Sequence, residues 1–318
     1  MQFADAHSDL GILMFMVEAG AAPRHLVEDF MKGLEIARVG LSVVQIGGDF
    51  GHAEYDFRDR DTVLRTMSLF QPENIKKHPY LEVAVSKKDI ENITKQGKST
   101  VILSIEGSAA IDTEFETLDF LYNQGLRSIA ITHDGQNHYG SGCRVEDDIG
   151  LTPDGVRLLD YAAKKSMILD LVHVGEKTFW GAIEHASQPV FVSHSNSKSV
   201  YNDVRNITDQ QIQAIGERNG VIAVNFISAF IDSQKGVVPL EHLVDHIDRI
   251  VELTSIENVA LGPDFFQYLM PELRYIGDVG GPADLVRVPP ALEERGYSEK
   301  EISKICHENL VRFISVSL

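Results

Sequence analysis

The sequence predicts an α/β protein of the (β/α)8 TIM-barrel class, and three observations carry that expectation. Eight short, nearly uninterrupted apolar runs alternate with segments of helical period, and strands buried on both faces and joined by helices make a parallel sheet. The histidines and carboxylates best suited to chemistry fall at the C-terminal ends of these runs, and in a barrel those ends converge on one face. No Gly-x-Gly-x-x-Gly follows a strand, which argues against an open dinucleotide-binding sheet.

In chain order, Phe3–Asp9 is expected to be the first strand and Pro23–Gly40 a helix, with Leu26, Phe30, Met31 and Leu34 spaced for one face. Leu41–Gly47 is a buried strand, followed by helices over Arg58–Phe70 and Ser86–Thr94. Thr100–Glu106 is a strand ending in a carboxylate. The helix Glu114–Asn123 stops at Gly125. Leu126–Thr132 runs up to His133, and Pro153–Lys165 is a helix with Pro and Asp in its first turn. The strand Met167–Val172 ends at His173, the helix Thr178–Ala186 follows, and the strand Pro189–Ser193 ends at His194. Then come the helix Thr208–Arg218, the strand Gly220–Asn225, the helix Leu240–Thr254 and the strand Asn258–Gly262, which leads to Asp264. A Gly-rich loop precedes the last helices, Pro289–Arg295 and Ser298–Phe313, the second with Ser298 and Glu301 as a capping box. The whole chain, 1–318, reads as one barrel domain without linker or repeat.

Composition narrows the function. The 318 residues carry 29 basic and 47 acidic side chains, a formal charge of −18, which disfavours nucleic acid or an anionic membrane as partner. The apolar run Leu10–Val17 is too short to span a bilayer. The N-terminus has no basic region of a signal peptide, and two cysteines, Cys143 and Cys306, suit a reducing cytoplasm rather than a disulfide framework.

His7 and Asp9, two residues apart on a strand, lie on one face and can grip a divalent cation. Glu106, His173 and His194 close three further strands. One histidine with an aspartate, two more histidines and a shared glutamate suffice for two metal ions, and nitrogen and carboxylate ligands without thiolate suit Zn2+, with Mn2+ or Co2+ as alternatives. Two metals bridged by Glu106 would hold a hydroxide as nucleophile. Hydrolysis then needs a proton carrier, a donor to the oxyanion and an anchor for an anionic substrate end. The candidates are Asp264, His133 and Arg205 respectively.

All of these residues but Asp264 lie in segments that resemble the membrane (renal) dipeptidase family, a dizinc branch of the amidohydrolase-like barrels. The resemblance runs through DAHSDL (5–10), SIEG (104–107), LRSIAITHDGQN (126–137), DLVHVGEKTF (170–179), PVFVSHSNSKSV (189–200), RNITDQQI (205–212), GVIAVNF (220–226), VGGPADL (279–285) and RGYSEKEISKICHENLVRF (295–313). It implies that His7 and Asp9 bind one zinc, that His173 and His194 bind the other, and that Glu106 bridges them. It places His133 near the scissile carbonyl, Arg205 on the substrate's C-terminal carboxylate and Asp264 on the proton of the attacking water. It implies a dipeptide substrate, often with a D-residue at the C-terminal position, and pairing into homodimers. The chain departs from the family where Gly-Ser-Asp-Phe-Asp-Gly becomes Gly262-Pro263-Asp264-Phe265-Phe266-Gln267, where Val172 replaces a serine, and where Cys306-His307-Glu308-Asn309 replaces Gly-Gly-Asn.

Other residues are weighed and set aside. His242 and His246 have a metal-binding spacing but are expected on or near the solvated flank of their helix. Cys143 has no adjacent base. Asn137, His138 and Tyr139 follow the fourth strand and are candidates to line the pocket, Asn137 as a substrate contact. Glu146-Asp147-Asp148 reads as a solvated acidic turn. Two other readings compete with a dipeptidase. One is an amidohydrolase of N-acyl amino acids or other small amides using the same metals. The other is a catalytically silent barrel, which would require a missing ligand or base.

Overall fold

The computed structural model describes residues 1–233 and 237–318. Seven strands form one parallel sheet: β1 (Phe3–Ser8), β2 (Val39–Gly48), β3 (Leu81–Val83), β4 (Ser99–Glu106), β5 (Leu126–Ala130), β6 (Ile168–Asp170) and β7 (Val190–Phe191). Their order is β1-β2-β4-β5-β6-β7, with β3 paired to the first residues of β4. β8 (Ile222–Val224) pairs in parallel with β9 (Val259–Leu261). A bridge from Val192 to Ile222 joins β7 to β8, and β9 packs beside β1. The sheet therefore curls around in chain order, as the (β/α)8 expectation requires. Among the described residues, no helix is long and apolar enough to cross a membrane.

Two elements escape a reading of periodicity. The three-residue β3 is too short to show any. The helix Leu10–Glu18 is buried from Leu10 through Met16, so it carries no polar stripe to reveal its period. The expected helix Ser298–Phe313 begins as anticipated, with the Ser298/Glu301 capping box in place. It then takes a π turn over Lys304–Glu308 before Asn309–Ser317. The helix carries Asn309 to the start of β9, where its amide donates to the carbonyls of Ile256 (2.7 Å) and Val259 (2.8 Å).

Side chains from the strands, among them Ala6, Val43, Ile102, Ile168, Phe191, Ala223 and Ala260, form one apolar cluster with Leu310, Phe313 and Ile314 of the last helix. Phe313 packs its ring 5.5 Å from that of Phe191. A second cluster lies between the sheet and the surrounding helices, where Phe30, Leu34, Leu118, Leu159 and Ile247 are buried.

Of the histidine pair in the helix Leu240–Leu253, His242 is half-buried near the solvated flank and His246 is not on it. His246 is buried, accepting the Ser197 N–H at Nδ1 (3.1 Å), and His242 pairs with Asp232 (2.6 Å). Both rings brace loops. Nor is Asp148 a purely solvated charge: its carboxylate accepts the N–H groups of Gly150 (2.8 Å) and Lys177 (2.7 Å), the latter in the first turn of Glu176–His185. Anions are favoured at such a helix start.

Phe313→Ala is expected to destabilise the fold by roughly 3–5 kcal/mol, because it hollows the cluster beneath the sheet. Val316→Ala, at a position 71% exposed, should change stability by less than about 0.5 kcal/mol. Denaturant unfolding of both variants checks the contrast.

Candidate active site

The strands β5, β6, β7 and β9 end earlier than their apolar runs suggest, and the remaining residues peel off into loops. His133, His173, His194 and Asp264 each stand three residues past the last strand residue, respectively Ala130, Asp170, Phe191 and Leu261. His173 (φ 62°) and Asp264 (φ 61°) adopt left-handed backbone, which costs a non-glycine residue roughly 1–2 kcal/mol and calls for a compensating role. His7 lies inside β1, but Asp9 does not share its strand. The strand stops at Ser8, and Asp9 takes the cap position of the helix Leu10–Glu18 without using its side chain as a cap. The turn into the helix, rather than strand alternation, brings Asp9 to 3.8 Å from His7 Nε2.

Glu106 is the focus. Its Oε1 lies 2.7 Å from His173 Nε2, 3.3 Å from His194 Nε2 and 3.6 Å from His7 Nε2. The two Nε2 atoms of His173 and His194 are 3.1 Å apart. Asp264 Oδ2 is 3.9 Å from His194 Nε2 and accepts the Asn225 amide at 3.0 Å. Arg205 reaches in from its loop, with Nη2 3.2 Å from His173 Nε2. His133 stacks on His173 with ring centres 3.8 Å apart. Glu106, His133, His173, His194, Arg205 and Asp264 line one cavity of about 240 Å³ with Asp9, Asp134 and a set of apolar side chains.

Burial sets the protonation of the site. It pushes the Glu106 carboxyl well above its ordinary range, with Asp9 and Asp264 adding to the rise. Burial, then the charge of Arg205, lowers His173; burial, then His7, lowers His194. Both rings are thus held neutral. His133 is lowered to about 4 by burial. In His7 burial is outweighed by the surrounding carboxylates, Glu106 first, which raise it to about 10.

This donor set fits metal ions. The His173 Nδ1 atom meets Asp134 Oδ1 at 2.7 Å, so that nitrogen carries the proton and Nε2 presents its lone pair. His7 Nε2 is buried without a hydrogen-bond partner. Two groups, His7 with Glu106 and His194, and His7 with Asp9 and Asp264, have ligand atoms within 4.8 Å of one another. A third joins Glu106 and His173 with His133. The lone pairs of the neutral His173 and His194 rings, converging on a carboxylate oxygen, are what a divalent cation requires.

The family described as membrane dipeptidase (peptidase family M19) matches residues 50–316. The chain belongs to the membrane dipeptidase family. An uncharacterized protein of Klebsiella pneumoniae from the pqqA 5' region is 32% identical over 243 residues, 74% of this chain and 88% of that one. Dipeptidase tcpJ of Claviceps purpurea is 26% identical over 263 residues, 81% of this chain and 59% of that one. A metallo peptidase from Rhodobacter sphaeroides, liganded with a phosphinate mimic of the dipeptide L-Ala-D-Ala, has the same fold. It superposes with a TM-score of 0.87 over 100% of this chain and 99% of that chain, at 19% identity. Membership in this metallopeptidase family implies metal ions, in keeping with the clustered ligand atoms.

Of the residues that the sequence singles out, His7, Asp9, Glu106, His133, His173, His194, Arg205 and Asp264 are brought together. Asn137 is not among the residues lining the cavity. Its amide nitrogen donates to Asp49 (2.6 Å) and the Ile131 carbonyl (2.7 Å), and its oxygen accepts the Tyr139 N–H (2.7 Å). It braces the loop that carries His133. Tyr139 is buried, donating to the Ile111 carbonyl. Burial pushes the Cys143 thiol up to about 11, which keeps it protonated.

Sequence reasoning missed the carboxylates that hold this arrangement. Asp134 orients His173 and is itself paired with Arg144 (2.8 Å). Asp49 accepts the Ala109 N–H (2.7 Å), the His133 N–H (3.4 Å) and the Asn137 amide, tying three loops together. A Cβ at Gly107 would strike its carboxylate, and that glycine also has φ +112°. The signal available for Asp134 was its place next to His133; Asp49 offered none.

Asp134→Asn is expected to weaken metal binding roughly 10- to 100-fold, since an amide no longer fixes the His173 tautomer. Competition against a chelating indicator, with the wild type alongside, measures this.

Proposed function

We propose that the protein is a zinc-dependent dipeptidase, with residues 1–318 forming one catalytic barrel that works in the cytoplasm. The observation that carries this reading is the convergence of His7, His173 and His194 on Glu106 Oε1 beside Arg205 and His133. In this reading His7, Asp9, Glu106, His173 and His194 would hold the metal ions. Bound zinc would lower the pKa of water toward neutrality and polarise the scissile carbonyl; Mn2+ or Co2+ could serve the same ligands.

The chain's own residues supply the rest. Arg205, the one Lys or Arg among the described residues that line the cavity, takes the substrate's C-terminal carboxylate in a forked contact. His133, held neutral, donates its N–H to the carbonyl oxygen as negative charge builds there. Asp264 accepts the proton of the attacking water and passes it to the departing amine nitrogen as the C–N bond breaks. Asn225 holds the Asp264 carboxylate in place. Two amino acids leave. The cavity suits a ligand of dipeptide size. The ligand of the Rhodobacter sphaeroides protein, a mimic of L-Ala-D-Ala, supports including a C-terminal D-residue among the substrates.

Purified protein is expected to hydrolyse L-Ala-D-Ala, to lose activity on chelation and to regain it with Zn2+. Full turnover in a preparation shown to be metal-free would refute the reading. Faster cleavage of N-acetyl-alanine than of alanyl dipeptides would favour an N-acyl amino acid amidohydrolase. Arg205→Ala should lower kcat/KM roughly 10- to 100-fold for free dipeptides, the loss expected for a charge-assisted contact. C-terminally amidated dipeptides should be affected far less, and equal losses on both would remove Arg205 from the carboxylate.

A further inference from the structure

The cavity has an apolar end to which hydrolysis itself assigns no task, and a row of contacts gives its direction. Arg205 Nη2 lies 3.2 Å from His173 Nε2. The His173 ring stacks on His133 at 3.8 Å. His133 stands 5.5 Å from Phe50, Phe50 is 6.4 Å from Phe266 in an edge-on pair, and Phe266 is 5.4 Å from His52. All six line the cavity. Arg205 is therefore at one end of the row, Phe50, Phe266 and His52 are at the other, and His133 lies between. A dipeptide with its carboxylate on Arg205 and its scissile carbonyl at His133 lays its N-terminal residue against the aromatic end.

That end is held in shape before any substrate arrives. The Phe57 N–H donates to the Phe50 carbonyl (2.9 Å), and the Phe57 ring backs Phe50 at 5.3 Å. Gly48 leaves room for the Phe50 ring, which a Cβ there would strike. The Phe266 N–H donates to Tyr275 Oη (2.8 Å), and that hydroxyl donates to the Asp264 carbonyl (2.5 Å). The aromatic wall and the Asp264 carboxylate are thus carried on one braced loop. Phe50 and Phe266 remain half-buried. None of the three wall residues is an Asp, Glu, Lys or Arg, and Phe266 stands where the family pattern has its second aspartate.

We propose that Phe50, Phe266 and His52 form the subsite for the side chain of the substrate's N-terminal residue and select an aromatic or large aliphatic side chain over a charged one. This inference rests on the dipeptidase reading above. An apolar side chain gains by leaving water against the rings. A carboxylate or ammonium group in the same place is stripped of water without a partner.

The test uses the full-length, zinc-loaded protein and a panel of X-Ala dipeptides with Phe, Leu, Ala, Asp or Lys at X. The values of kcat/KM for Phe-Ala and Leu-Ala are expected to exceed those for Asp-Ala and Lys-Ala by roughly tenfold or more. Phe266→Asp should cut the ratio of Phe-Ala to Lys-Ala turnover by at least roughly tenfold, while Phe266→Leu should retain it. Because both substrates are assayed on one preparation, the ratio does not depend on the folded fraction. Equal rates across the panel, a preference for Asp or Lys, or an unchanged ratio in Phe266→Asp would overturn the subsite and leave the dipeptidase standing. No hydrolysis of any member would overturn both.

Discussion

The structure depends on the burial of one carboxylate, Glu106, at the end of a strand whose eight residues are all buried. A carboxylate taken out of water costs several kcal/mol unless partners surround it. Here three imidazoles do so, from β1 and from the loops after β6 and β7. Each ring is then held at its other nitrogen: His173 by Asp134, His194 by Ser193 (3.1 Å), and His7 by Gln45 (3.2 Å) and Ser193 (3.4 Å). Asp134 is in turn paired with Arg144 near the surface. The centre is therefore the inner end of a polar network that reaches outward through the loops, and the geometry of each member limits that of the next.

Loops that carry such groups need fixed backbones, and buried aspartates supply the fixing. Asp170, at the end of β6, accepts the N–H groups of both Val172 (3.1 Å) and Ser193 (3.0 Å), the residues just before His173 and His194. One side chain thereby sets the separation of the two histidine loops. Burial pushes its carboxyl up to about 6 despite these bonds. Asp5 accepts the His7 N–H (2.9 Å), and burial raises it to about 8. Asp49 plays the equivalent part for the loop of His133 and is raised by burial to about 6. These are costly residues to bury, and their common feature is that each accepts backbone donors on the segments that carry the site.

Much of this was legible in the sequence. Apolar runs and helical spacings marked the barrel, because burial on both faces of a parallel sheet leaves an unmistakable pattern. The ends of those runs marked His7, Glu106, His133, His173 and His194, because a histidine or acid that interrupts an aliphatic strand stands out against it. Elements without periodicity were invisible, as in the helix Leu10–Glu18 and the short β3. Side chains committed to distant backbone were misjudged for the same reason. Asn137 looked available and is engaged by Asp49, 88 residues away; His246 looked solvated and is buried against the Ser197 loop.

The sequence by itself determined the fold class, the family and the residue types that meet at the strand ends, since these follow from local pattern and composition. Only the tertiary structure decided how they meet. The early ends of β5, β6, β7 and β9, the left-handed backbone at His173 and Asp264, and the bracing by Asp49, Asp134 and Asp170 depend on contacts between segments far apart in the chain. So does the direction of the cavity, from Arg205 past His133 to Phe50 and Phe266. Hydrogen-bond direction and ring packing act through space over a few ångströms, and no spacing along the chain encodes them.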